Sequence, residues 1–165
     1  MTIIHNRRRP SSEAGMTLLE LIVSCTILVL LASAALPMAR WSVYRVRERE
    51  LKNDLRTMRE AIDRYKDLAD RGLIRVDVLT GGYPPDLETL VKGVTLTSGA
   101  VAGVTGKTIV FLRSIPVDPM TRQANWGLRS VEDDPDSTSW GGNDVFDVYS
   151  TSTGTALDGT KYSDW

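Results

Sequence analysis

Apolar and polar positions alternate with two different habits along this chain. From Gly15 to Pro37 (GMTLLELIVSCTILVLLASAALP) the residues are apolar almost without break, and Glu20 is the only charge. Leu21 to Ala39 carries none, and these 19 residues at about 1.5 Å each predict roughly 28 Å of helix, enough to cross a bilayer core of about 30 Å. Further on, Leu51, Leu55, Met58, Ile62, Tyr65 and Ala69 recur at spacings of 4, 3, 4, 3 and 4, which is one face of an amphipathic helix. Tyr44 extends that stripe upstream. Glu48–Lys52, Glu60–Arg64 and Asp67–Arg71 stand in the favourable i, i+4 order on the other faces. Gly72 is the expected stop. No strong breaker lies between Pro37 and Gly72, so the two segments read as one helix of about 55 residues. The stripe is short, and reads as the core face of one small domain rather than as a coiled-coil seam.

Beyond Gly72 the elements shorten. Gly81-Gly82-Tyr83-Pro84-Pro85 predicts a turn, and Asp86 to Val91 a short helix beginning near Pro85 or Asp86 and stopped at Gly93. Residues 93–106 read as a loop of small uncharged residues. Gly106-Lys107-Thr108 has the ending of a phosphate-binding loop. Val101 stands where that motif needs its first glycine, and a β-like run follows where it needs a helix, so nucleotide binding is rejected. Strands are predicted over Thr108–Leu112, Trp126–Val131 and Val145–Tyr149, with an acidic, solvated turn at Glu132–Ser137. The tail from Ser150 is rich in Thr, Ser, Gly and Asp, and Trp165 predicts that its end is packed down. The fold class is α+β: a long N-terminal helix packed on a small antiparallel sheet.

Charge sharpens the division. The net charge of −1 conceals a net of +2 over residues 1–15, where Arg7, Arg8 and Arg9 outnumber Glu13. Residues 40–72 hold ten basic and seven acidic side chains, and residues 73–165 seven basic and twelve acidic. Three arginines ahead of the apolar run favour a cytoplasmic N-terminus with the remainder translocated. The only cysteine, Cys25, lies in the apolar run, and the only histidine, His5, lies in the leader. The body therefore has neither a disulfide nor a Ser-His-Asp, Cys-His or His/Cys zinc arrangement, and an enzyme is not expected. Glu20 is costly in hydrocarbon, by about 2.5–3.5 kcal/mol on insertion scales. It either reaches water at the membrane edge or meets a partner. A secretory signal cleaved after Ala32-Ser33-Ala34 is the rival reading of the same stretch, releasing a protein that starts near Ala35.

On Gly15, then Met16-Thr17-Leu18-Leu19-Glu20-Leu21-Ile22-Val23, the chain resembles the type IV pilin and type II secretion pseudopilin family. Met16 replaces the usual phenylalanine. The resemblance implies that a prepilin peptidase cuts between Gly15 and Met16 and that the new amino group is methylated. It also implies that Glu20 pairs with the Met16 amino group of a neighbouring subunit, and that Pro37 kinks the helix. Four regions follow: a leader over 1–15, a transmembrane and assembly helix over 16–40, an amphipathic stem over 41–72, and a periplasmic α+β region with a C-terminal loop over 73–165. The body resembles the major pseudopilins of type II secretion through Gly82-Tyr83-Pro84-Pro85-Asp86-Leu87-Glu88-Thr89-Leu90, Ile115-Pro116-Val117-Asp118-Pro119-Met120-Thr121, Trp126-Gly127-Leu128-Arg129-Ser130 and the ending from Asp147 to Trp165.

That resemblance implies a structural subunit that polymerises into a periplasmic pseudopilus driving protein secretion. Its partners would be further copies of itself, the prepilin peptidase, an inner-membrane assembly platform and ATPase, minor pseudopilins, and membrane lipid before assembly; no nucleic acid is expected. It also implies a calcium ion in the last loop, with carboxylates from Asp158 and Asp164 and oxygens from Ser150 and Thr153. Ser152–Thr155 has no aspartate where such proteins usually supply one, and Asp158-Gly159 is also simply a turn sequence. The alternatives are a type IV pilin forming a surface fibre, and a monomeric binding module that is tethered or exported.

Overall fold

The computed structural model describes residues 17–97 and 106–165, with residues 34–40 described by backbone alone. Gly15, Met16 and residues 98–105 of the expected loop lie outside the described residues. The chain divides into two units, Met1–Ser42 and Val43–Trp165. Helix α1 runs over Leu18–Asp70.

In the first unit, α1 starts at a threonine. The Thr17 carbonyl accepts from the Leu21 amide at 3.0 Å, and its Oγ1 accepts from the Glu20 amide at 3.2 Å, which satisfies two donors that a helix start leaves open. Hydroxyls inside the apolar run turn back on the helix: Thr26 Oγ1 donates to the Ile22 carbonyl and Ser33 Oγ to that of Leu30, each at 2.8 Å. That leaves a nearly unbroken apolar surface, exposed on all sides from Leu18 to Leu31. Among the described residues, no helix is long and apolar enough to cross a membrane. The segment expected to do so, Leu21–Ala39, is described with side chains only as far as Ser33.

In the second unit, the expected stripe is the spine of the core. Leu51, Leu55, Met58, Ile62 and Tyr65 are all at most 4% exposed, and Ala61 joins them. Tyr44 does not: it is exposed, and the buried stripe begins one heptad later than the spacing predicts. The helix ends in paired bonds in which the Gly72 amide reaches the Ala69 carbonyl and the Leu73 amide that of Leu68. Gly72 takes φ +67°, the left-handed conformation that this terminus requires.

Helix α2 (Leu87–Lys92) is capped by Asp86, whose carboxylate accepts from the Thr89 amide at 2.6 Å, and ends at Gly93. Its Leu87 and Leu90 enter the core. Strand β1 (Val94–Thr95) lies where the sequence predicts only loop, and pairs antiparallel with β2 (Thr108–Ile109). Strand β2 is shorter than predicted, because the Phe111 and Leu112 amides both turn to the Leu90 carbonyl at 3.0 Å. Strands β3 (Trp126–Arg129) and β4 (Asp147–Ser150) form a second antiparallel pair, shifted slightly from the predicted ranges. Strict alternation fails in β4, since Val148, Tyr149 and Ser150 are all buried. Tyr149 folds over Gly127, its partner across the pair, where no side chain could fit.

Only one of the three predicted helix-surface ion pairs forms, Asp67–Arg71 at 2.8 Å. Glu60 pairs with Arg56 instead, and Arg64 donates to the Phe111 carbonyl at 2.9 Å. Glu48 is drawn to the tail, where it accepts from the Leu157 amide at 2.8 Å and from the Tyr162 hydroxyl at 3.1 Å. Arg59 does more: its guanidinium reaches the Asp147 carboxylate at 2.6 Å and the carbonyls of Val148 and Trp165. As predicted, Trp165 is packed down. Its ring meets Tyr162 edge-on at 5.2 Å, and the Lys52 ammonium lies 4.0 Å from its centroid.

Burial, and then the hydrogen bond to Glu48, push the Tyr162 phenol up to about 12 from its ordinary 10.0. The phenol ionises more easily in the unfolded chain. The stability from this contact is therefore complete below about pH 10 and is lost as pH rises toward 12. We expect Tyr162→Phe to flatten the fall in thermal stability between pH 10 and 12, measured by circular dichroism. An identical slope for both proteins would contradict the assignment.

Candidate functional site

Two places hold the residues singled out by the sequence. At the first, Glu20 is exposed in the opening turn of α1. Thr17-x-x-Glu20 is the pattern of a capping box, with the threonine as cap and the glutamate three positions on. The threonine half is made, as its Oγ1 binds the Glu20 amide. A carboxylate at that position also faces the positive end of the helix dipole, a favourable contribution of about 0.3–1 kcal/mol. The Thr17–Glu20 spacing is a cap signal visible in the sequence. Gly15 and Met16 are outside the described residues, and Pro37 lies within α1 at a position described by backbone alone.

The face around Glu20 is otherwise apolar. Leu21, Ile22, Cys25, Val29 and Leu30 line a shallow groove along one side of the helix. Its only sulfur is the exposed Cys25 thiol. Such a surface can pack against another apolar helix or lipid.

At the second place, the last loop borders a cavity of about 450 Å3 lined by Tyr149, Ser150, Ser152, Thr153, Lys161 and Ser163 among others. Of the four residues implied as calcium ligands, Ser150 and Thr153 are brought together there. Ser150 is fully buried, and its Oγ donates to the Asp118 carboxylate at 2.6 Å while accepting from the Ser152 amide at 3.1 Å. Asp158 lies off this cavity and is exposed. Its carboxylate takes the Thr160 hydroxyl at 2.6 Å and the Thr160 amide at 3.0 Å. Those two bonds, with Lys52 nearby, hold the Asp158 carboxyl below its usual range. Asp164 lines a different groove, beside Trp165 and Arg59, and accepts from Ser163 Oγ at 3.0 Å. Among the described residues, no three His, Cys, Asp or Glu side chains are grouped to hold a metal.

Asp118 is the polar centre that sequence reasoning missed. It is fully buried, and besides Ser150 it accepts from the Met120 amide at 2.7 Å and from Thr121 at 3.4 Å. Its charge also contributes to raising the Asp54 carboxyl, after desolvation and Glu50. A second buried pair, Ser130 with Asp144, does the same for the β3–β4 connection, where Asp144 also accepts from the Val131 amide. Each binds separated parts of the chain through charge-assisted bonds. An Asp-Pro step was the available signal at Asp118, since such residues start turns.

Residues 10–36 match the family model described as the prokaryotic N-terminal methylation motif. The matched stretch contains Gly15, Met16, the Thr17 cap and Glu20, and ends just before Pro37. No curated protein and no solved structure matches the chain. The chain thus carries a prepilin-type N-terminal methylation motif, whose described part from Thr17 onward opens the helix with the exposed apolar surface.

Proposed function

We propose that this chain is a filament subunit of the type IV pilin and pseudopilin type, anchored in the inner membrane before assembly, with its second unit in the periplasm. The observation that carries this reading is the methylation-motif match over residues 10–36. A prepilin peptidase would cut between Gly15 and Met16, and the Met16 amino group would be methylated. The exposed apolar run would lie in lipid until the platform protein and ATPase lift the subunit into a fibre, where other copies replace the lipid. Glu20, capped at the helix start, would there meet the Met16 ammonium of a neighbour, so that a costly carboxylate becomes a paired one and sets the register.

Within that type, we assign the chain to a type II secretion pseudopilus rather than a surface pilus. The motifs of the second unit support this, as does a tail tied by Arg59, Glu48 and Trp165 with no cysteine pair. The fibre would push cargo toward an outer-membrane pore, with minor pseudopilins at its tip. The role is structural, not catalytic.

Mass spectrometry of the mature chain should show a terminus at N-methylated Met16, and a terminus at Ala35 would sink the filament reading. Glu20→Ala and Glu20→Gln should be cleaved and methylated normally yet yield at least tenfold fewer filaments. Wild-type yield from either would remove the proposed pairing. A calcium ion held by Ser150, Thr153, Asp158 and Asp164 would require both carboxylates to swing to the cavity that the other two residues line. The Asp158 bonds to Thr160 oppose that movement. The melting temperature of the full chain in detergent should therefore not change when calcium is chelated; a drop of several degrees would place the ion in the loop after all.

A further inference from the structure

Four basic residues share one side of α1, with Lys52 lying over the ring of the packed-down Trp165. Arg45, Arg49, Lys52 and Arg56 follow at spacings of four, three and four, which keeps them within about 60° of one another around the helix. All four are exposed, on a side turned away from the buried stripe. Acidic residues among 45–56 are engaged or placed elsewhere, although Asp158 lies close to Lys52. Glu48 is held by Leu157 and Tyr162, while Glu50 and Asp54 fall on the opposite side of the helix. Arg56 has Glu60 as a neighbour, and Lys52 lies over Trp165. Arg45 and Arg49 make no ion pair among the described residues.

An opposite surface lies elsewhere in the same unit. In the β3–β4 connection, Glu132, Asp134 and Asp136 are exposed and likewise make no ion pair among the described residues. Within the turn Glu132–Asp136, Asp133 is the one that turns inward, to the amides of Ser130 and Gly141. The base of this connection is fixed in height along α1. Asp147 is bound by Arg59, and Phe146 meets the ring of Tyr83 at 5.3 Å, over which Lys66 sits. The acidic turn therefore springs from the level of residues 59–66, roughly 18 Å further along the helix axis than the middle of the basic face at 1.5 Å per residue.

We infer that the acidic turn of one copy docks on the basic face of the next. The two surfaces are complementary and displaced along one axis, so they make a head-to-tail contact. A contact of that kind does not close on itself and generates an open, repeating assembly. The inference rests on the filament reading and adds to it a second contact, outside the apolar helix, that selects the axial stagger. Because these charges are exposed, the contact is screened as salt shortens the Debye length from about 10 Å at 0.1 M to 3 Å at 1 M.

The test uses the full chain assembled in membranes. With Cys25→Ser as background, Arg49→Cys and Asp134→Cys in one chain should give, on mild oxidation, a ladder of dimers, trimers and higher species on a non-reducing gel. Either change alone should give no species beyond a dimer. Separately, Arg49→Glu with Arg56→Glu should reduce filament yield at least tenfold, and adding Asp134→Arg with Asp136→Arg should restore most of it. Filaments that form normally with no ladder, and with wild-type yield from the charge-reversed chain, would overturn the docking while leaving the filament reading intact. A doubly substituted chain that stops at dimers would overturn the head-to-tail arrangement. Absence of filaments from the unmodified chain would remove both readings.

Discussion

Everything in the second unit hangs on the buried stripe of α1. The strands are two and four residues long, in two separate pairs, and strand pairs of that size do not hold together in water unaided. Leu51, Leu55, Met58, Ile62 and Tyr65 supply the apolar surface that they lack. Burying each such side chain is worth about 1.5–3 kcal/mol, whereas an exposed ion pair contributes about 0–1 kcal/mol. Core residues distant in sequence, from Ile74 to Tyr162, therefore gather on one helix face.

Polar contacts then decide where the segments without regular structure lie. Asp118 binds Ser150 across 32 positions of sequence, and Arg59 binds Asp147 and Trp165 across 88 and 106. These ties fix distant segments of the folded chain to one another. Their cost is that burying a carboxylate is tolerable only while its hydrogen bonds are made. That makes Asp118 and its partners a group that holds or fails together.

The first unit presents the opposite situation. Among its described residues the apolar side chains are exposed, the Thr26 and Ser33 hydroxyls bond within the helix, and Glu20 stands in the opening turn. A surface of this kind is incomplete in water and calls for lipid or other copies around it. The methylation motif overlaps this same apolar stretch.

Helices α1 and α2 were readable from spacing alone because period and stop signals are local: the stripe at Leu51–Tyr65 and the stop at Gly72 for α1, and the start near Asp86 and the stop at Gly93 for α2. The fold class and the packing of Trp165 followed from the same kind of pattern. Tyr44 shows where periodicity ends as a guide, since a residue in phase is buried only if something lies opposite it. Strand β1 was hidden because two residues carry no period. Glu48 and Arg64 read as helix-surface charges, for sequence displays neighbours four positions away and not those far along the chain. Sequence by itself determined the helix, its two surfaces and the processing motif, all set by near neighbours. Only the tertiary structure decided that the helix's charges serve the tail and that Ser150 answers to Asp118, because a desolvated charge binds whichever polar group the packed core places within reach.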